Sequence, residues 1–260
     1  MPIEYKERLV CFADILGTKQ RILNLSVQGA IEEIKRLDYI FKKIVEPTDF
    51  EKRSPFNPMV NYFSDCFCIS ENIDELELEL YLKSIFSFLQ QIQFIQGNLI
   101  NWKMLLRGGV TINKHYSDDK IVFGEALIKA HQLEQTAIFP RIIFDPDIFN
   151  KMAIAAKALV DKGYLGGGRA IEEDMKFFDT SLKTDSDGTL WLNYLEFWRE
   201  CEEYEVCEFL QNHQSLIVWG LEKFKNEQHE LEKYEWLRDY HNEYLRSNKP
   251  ISEYEKLIIR

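Results

Sequence analysis

The 260-residue chain has no apolar run that approaches the roughly 18 residues a membrane-spanning helix requires. It also has no basic and apolar leader ending in small residues. The expectation is a cytoplasmic protein, neither exported nor membrane-embedded. Cysteine is scarce and odd in number, at five. Three of them, Cys11, Cys66 and Cys68, fall in segments that read as buried strands, where they pack as small apolar side chains. A disulfide scaffold is thereby excluded and a reducing compartment expected. Cys66 and Cys68 form a CxC pair with no second Cys or His cluster nearby, which argues against a zinc site. The five histidines show no ligand spacing and no partner nucleophile, which argues against histidine-based covalent catalysis. Positive charge is in deficit, and the net charge of -11 opposes nonspecific binding to nucleic acid or to an anionic membrane. The glycine run at 166–168 lacks the GxxxxGK[ST] frame of a phosphate loop and reads as a plain connection. The chain contains neither an internal repeat nor a low-complexity tract.

What is present is a globular composition, 45% hydrophobic and 13% aromatic, enough for one large core or two modest ones. Residues 8–14 read as a buried strand. The segment "SVQGAIEEIKRLDYIFKKIV" follows as a helix with Ile31, Ile34, Leu37, Ile40, Phe41 and Ile44 on one face. A proline-bearing loop (Pro47, Pro55, Pro58) leads to "MVNYFSDCFCIS", a hairpin hinged at Ser64 and Asp65. A helix over about 74–97, the strand "MLLRGGVTIN", the helix "FGEALIKAHQLEQTA" and the strand "PRIIFDP" complete a β-α-ββ-α-β-α-β core through residue 145. The paired glycines of "MLLRGGVTIN" suit a close backbone approach. Beyond 146 come a helix, a hairpin around Asp187 and Gly188, and a helical region from about 197. The fold class expected is α+β, a mixed sheet with helices packed on it. The domains expected are 1–196, with a helical extension at 197–260 packed on the core or at a dimer interface. That extension carries an apolar stripe of Trp219, Leu221, Phe224, Leu231, Tyr234, Trp236 and Leu237.

Two acidic residues occupy positions where strands converge. Asp14 ends the first strand and Asp65 sits in the hairpin turn, so both carboxylates can lie at one end of one sheet. Such a pair reads either as solvated caps of strand and turn or as hard ligands for Mg²⁺ or Mn²⁺. The turn Gly17-Thr18-Lys19 follows Asp14 at once, and free amides there could hold a polyphosphate. A metal with phosphate-binding amides suggests a nucleoside triphosphate.

On these residues the chain resembles the class III nucleotidyl cyclase catalytic domain, whose core is a ferredoxin-like palm. "FADILG" resembles its first metal motif, "YFSDCFCIS" its second-aspartate hairpin, and "LLRGGVTIN" with "VFGEALIKAHQLE" its next strand and helix. The finer pattern, including "PRIIFDP", "DGTLWLNYL" and "KYEWLRDYHNEYL", is similar to the stand-alone bacterial pyrimidine cyclases of Pycsar antiphage systems. The resemblance implies two Mg²⁺ or Mn²⁺ ions held by Asp14, Asp65 and the Ile15 carbonyl. It implies attack of the ribose 3′-hydroxyl on the α-phosphate of UTP or CTP, with release of pyrophosphate. It further implies a homodimer with sites at its interface, no nucleic-acid or membrane partner, and a separate effector that reads the cyclic product.

The departures from the family pattern bear on substrate and catalysis. Asn61 and Ile121 stand where purine cyclases carry a base-reading Lys and Asp, which disfavours ATP and GTP. Asn61 or Tyr62 could contact a pyrimidine. Ile128 and Gln132 stand where the family has its transition-state Asn and Arg, so Arg107, Lys129 or Arg141 would have to clamp the phosphates. Arg107 and Arg141 could equally pair with carboxylates. Two rival readings follow, a degenerate nucleotide-binding or interaction module and a purine cyclase.

Overall fold

A computed structural model describes residues 3–45, 58–161, 179–248 and 254–260. The chain runs β1 (Lys6–Ile15), α1 (Thr18–Leu23), α2 (Val27–Ile40) with a π-helical turn at Phe41–Val45, β2 (Met59–Phe63), β3 (Cys66–Asn72), α3 (Leu78–Asn101) and β4 (Leu106–Ser117). It continues through β5 (Val122–Gly124), α4 (Glu125–Thr136), β6 (Ile142–Phe144), α5 (Pro146–Asp161), β7 (Leu182–Thr184) and β8 (Leu190–Leu192). A 3₁₀ segment (Tyr194–Glu200), α6 (Glu203–Lys223), α7 (Gln228–Asn248) and a 3₁₀ turn (Glu255–Leu257) complete it. Among the described residues no helix is long and apolar enough to cross a membrane.

The strands form one sheet in the order β2-β3-β1-β4-β6-β8-β7, with β5 added to the end of β4. The first four strands are all antiparallel to their neighbours. With α2 and α3 as crossovers, they make the ferredoxin-like β-α-β-β-α-β arrangement. β6 then joins β4 in parallel. This is the mixed α+β architecture expected from the strand and helix order.

β1 explains why its sequence lacks polar alternation. Leu9, Cys11, Ala13 and Ile15 face the core formed with α3 and α5. Val10 and Phe12 face α4 through Ala126 and Ala130. A strand covered on both faces is apolar throughout, and only its last inward position on the α4 side, Asp14, breaks the pattern. Gly109 lets α4 lie directly on the sheet, because a Cβ there would fall 2.4 Å from the Leu133 Cβ and 2.5 Å from the Ala130 carbonyl. That is the close approach the paired glycines indicated.

A second core lies between the end of α3, β8, the 3₁₀ segment and the α6–α7 hairpin, built on Ile100, Trp191, Tyr194, Phe209 and Tyr240. Part of the expected apolar stripe belongs to it, including Tyr234 and Leu237.

Three expectations need correction. The face of α2 is not uniformly buried, since Ile31 and Ile34 are exposed while Ile40 and Phe41 are buried. Only the last turn of α2 and the π-helical turn reach the sheet, where Phe41 meets Phe67. Residues 123–124, read as the start of a helix, instead belong to β5, which pairs with His115–Ser117. The long helix after the hairpin begins at Leu78, later than expected. The glycine run at 166–168 and the loop around Pro47 and Pro55 lie outside the described residues.

Candidate functional site

The antiparallel registers set the site. Asp14 pairs with Cys66 on one side and Arg107 on the other, so all three side chains project from the α4 face of the sheet. The β2–β3 hairpin turns at Ser64 and Asp65, and Ser64 adopts a positive φ of 57°. The Ile15 amide donates to the Asp65 carbonyl at 3.0 Å, which ties that turn to the end of β1. The two aspartates of separate strands are thereby brought together, and ligand atoms of Asp14, Asp65 and Cys66 lie within 4.8 Å of one another.

The electrostatics of this corner are unbalanced. Burial pushes the Asp14 carboxyl up to about 6, and Asp65 and Glu134 add to the rise, while the Cys66 hydrogen bond and Arg107 oppose it. Glu134, buried near the end of α4, pairs with Arg107, whose Nη2 also lies 3.7 Å from Asp14. Two carboxylates thus share one guanidinium, and Asp65 adds a third negative group that the guanidinium does not pair with. Burial and the neighbouring Asp14 and Asp65 push the Cys66 thiol up to about 12, so it stays protonated and donates to Asp14 Oδ1 at 3.6 Å. Hard oxygen donors with excess negative charge suit Mg²⁺ or Mn²⁺ better than a soft metal. The residues present therefore fit such an ion.

The other expected site residues divide into those that face this corner and those that do not. The Ile15 carbonyl accepts the buried Thr18 hydroxyl at 2.8 Å, so that hydroxyl shapes the turn from within. Gly17 is exposed and takes a φ of 79°, a conformation that favours glycine. The Lys19 side chain lies outside the described residues. Asn61 shares the Asp14 face through the Asn61–Cys68–Phe12 register. Its Nδ2 donates to the Asp118 carbonyl at 2.7 Å, and its buried Oδ1 has no hydrogen-bond partner among the described residues.

Three candidates are placed elsewhere. Tyr62 projects from the opposite face of β2 and stacks on Phe41 with ring centroids 4.7 Å apart, because side chains alternate along a strand. Arg141 is buried and its guanidinium is held by Asp185 and Asp187 at the β7–β8 turn. Lys129 pairs with Asp145 at 2.7 Å and Asp147 at 2.9 Å, which ties α4 to the start of α5. Of the three proposed phosphate clamps, only Arg107 lies beside the aspartates. Ile128 and Gln132 are exposed on α4.

Glu134 was not anticipated from the sequence. A signal exists, since Ala126, Ala130 and Glu134 repeat every four residues on the buried face of α4. A carboxylate continuing a small-residue stripe marks a charge directed inward.

No protein-family model matches the chain, and no curated protein does. Among solved structures it is similar to an adenylate/guanylate cyclase/hydrolase from Silicibacter pomeroyi, with 15% identity and a TM-score of 0.38, over 62% of this chain and 84% of that one. It is also similar to the catalytic core of a rhodopsin-guanylyl cyclase with converted specificity in complex with ATPalphaS. There the identity is 12% and the TM-score 0.35, over 55% of this chain and 78% of that one.

Proposed function

We propose that the chain is a metal-dependent nucleotidyl cyclase that converts UTP or CTP to the 3′,5′-cyclic monophosphate. The observation that carries this reading is the convergence of Asp14 and Asp65 at one corner of a ferredoxin-like sheet, with Arg107 beside them. Asp14, Asp65 and the Ile15 carbonyl would hold two Mg²⁺ or Mn²⁺ ions, which when bound lower the pKa of the ribose 3′-hydroxyl and neutralise triphosphate charge. In the reaction the 3′-oxygen forms a bond to the α-phosphorus, the bond from that phosphorus to the bridging oxygen breaks, pyrophosphate leaves and the hydroxyl proton passes to solvent.

The chain's own residues orient and discriminate. Arg107 supplies a cation toward the phosphates, and its buried Nε has no hydrogen-bond partner among the described residues. Asn61 offers an unpartnered Oδ1 on the same face, suited to an N–H on a pyrimidine edge. Exposed Phe63, Ile121 and Ile128 supply apolar surface for a homodimer in which each protomer completes the other's site. The same reading takes 1–196 as the catalytic unit and 197–260 as its helical extension. It places the protein in the cytoplasm as an antiphage signal generator whose product a separate effector reads.

A second reading, a nucleotide-binding module without turnover, is favoured by exposed Ile128 and Gln132, which offer no cation from α4. Incubation with each of the four ribonucleoside triphosphates and Mn²⁺, with product masses determined, decides between them. Cyclic UMP or cyclic CMP, abolished by Asp14→Ala or Asp65→Ala, supports the proposal. A cyclic purine product assigns the purine alternative, and no product from any nucleotide leaves the binding module.

A further inference from the structure

A cavity of about 500 Å³ lies between the Leu16–Gly17 turn and the α6–α7 hairpin, a volume suited to a small molecule. Neither Asp14 nor Asp65 lines it. We propose that this cavity binds a planar aromatic anion of nucleoside monophosphate size, at a site separate from the carboxylate corner.

The chemistry of the walls selects the ligand. Trp219 and Phe224 meet edge to face at 6.0 Å, and Phe224 stacks on Tyr234 at 5.5 Å, which gives an aromatic surface for a base. The Lys223 ammonium lies 4.5 Å from the Trp219 ring centre and 4.8 Å from that of Phe224. It has no carboxylate partner among the described residues, so its charge is balanced only by the rings. Exposed Lys103, just after α3, brings to the rim a second ammonium with no carboxylate partner among the described residues. Lys233, by contrast, is neutralised by Glu230 at 2.8 Å.

Among the described residues lining the cavity, two cations without a carboxylate partner face one carboxylate without a cation partner, that of Glu227. The surplus favours a ligand with more than one negative charge, such as a phosphate monoester. Glu227 in turn supplies an acceptor for ribose hydroxyls or an exocyclic amine. A simple inorganic anion would leave the rings unused, and a neutral aromatic would leave the lysines unpaired. Base, sugar and phosphate together satisfy all three sets of groups. The proposal does not depend on the catalytic reading.

The test is a calorimetric titration of the full chain carrying Asp14→Asn and Asp65→Asn, without divalent ions, using AMP as probe. Silencing the carboxylate corner keeps the outcome independent of whether the chain turns nucleotides over. The expected result is saturable binding with quenching of tryptophan fluorescence. Affinity should fall at least tenfold for adenosine and for ribose 5-phosphate, and at least tenfold for AMP when Lys103→Glu and Lys223→Glu are added. Trp219→Phe should remove the quench. No saturable binding up to millimolar AMP would overturn the proposal, as would an affinity unchanged by the lysine substitutions. The two truncated ligands keep the test decisive even if the lysine variant fails to fold, since equal binding of adenosine and AMP also overturns it.

Discussion

Arg107 stands directly across the β1–β4 ladder from Asp14, with its Nη2 3.7 Å from the Asp14 carboxylate, while the same guanidinium pairs with Glu134 of α4. One cation is therefore divided between a strand and a helix. Neither carboxylate is fully compensated, and the charge deficit is concentrated at Asp14, which also faces Asp65.

The first consequence concerns the metal-free protein. The Asp14 carboxyl is raised to about 6 in the folded chain, chiefly by burial, whereas in an unfolded chain it titrates near 3.9. The folded state thus binds the extra proton between these values, and stability falls as pH rises from about 4 through 6. Asp14→Asn removes this cost. With chelator present at pH 7.5 the variant should be more stable than the parent by about 1–2 kcal/mol, discounted because the side chain is partly exposed. Melting curves should converge below pH 4. A variant less stable than the parent at pH 7.5 would show that no such repulsion is stored.

The second concerns metal and turnover. Mn²⁺ should raise the melting temperature of the parent and leave Asp14→Asn unmoved, which reverses their order in chelator. If the cyclase reading holds, Arg107→Ala should lower kcat by roughly 10²–10³, the cost of losing one donor to developing charge. Cys66→Ser should keep most activity, because the protonated thiol only donates to Asp14. Steady-state kinetics with UTP and CTP check both values. An Arg107→Ala enzyme with unchanged kcat would remove that residue from the phosphate clamp.

How much of this was legible in the sequence differs by element. β1 and the β2–β3 hairpin were readable because a doubly covered strand is apolar and a two-residue turn needs residues like Ser64 and Asp65. That Asp14 and Asp65 meet followed from strand order alone. The side-chain partners did not, because ion pairs depend on tertiary register. Arg107 and Arg141 flank strands in the same way, yet one faces Asp14 and the other is held at the β7–β8 turn. Tyr62 shows the cost of a one-residue difference in parity, which moved it to the face opposite Asn61.

Asn61 carries the third prediction. If its buried Oδ1 accepts from a pyrimidine, Asn61→Leu should reduce kcat/KM for the preferred pyrimidine triphosphate by roughly 10²-fold or more, through loss of a specific hydrogen bond. KM and kcat/KM across all four nucleotides provide the check. A uniform small loss for every base would mean that Asn61 only holds the Asp118 loop.

The fourth concerns assembly. If the proposed homodimer forms, Ile121 and Ile128, 55% and 61% exposed, supply apolar surface for it together with exposed Phe63. Ile121→Glu with Ile128→Glu should shift the chain from dimer to monomer in sedimentation and reduce turnover in parallel. A parent that is monomeric at micromolar concentration would exclude this arrangement.

The last prediction follows from a buried relay in the second core. Leu257 offers only a carbonyl, so His241 must carry its proton on Nε2, 3.0 Å away. His241 Nδ1 is then an acceptor and takes a hydrogen bond from His213 Nδ1–H at 3.0 Å. His213 Nε2 in turn accepts from the Tyr194 hydroxyl at 2.8 Å. Every group is satisfied with both rings neutral, and a proton on either ring places donor against donor or forces a tautomer change. Burial holds His213 well below its ordinary value, helped by His241, and lowers His241 to about 4 against the pull of the Leu257 carbonyl. Unfolded histidines titrate near 6.5, so the unfolded state binds more protons below that pH. Stability is therefore complete above about 6.5 and falls toward pH 4, by about 1.4 kcal/mol per pH unit for each histidine. The same relay anchors the C-terminal segment, where Asn242 also binds Ile259 through both its amide atoms. Replacing both rings, as His213→Gln with His241→Gln, should lower stability at pH 7 yet flatten its decline between pH 6.5 and 4.5. Urea unfolding at several pH values measures both effects, and an unchanged slope would show that the pair does not govern acid sensitivity.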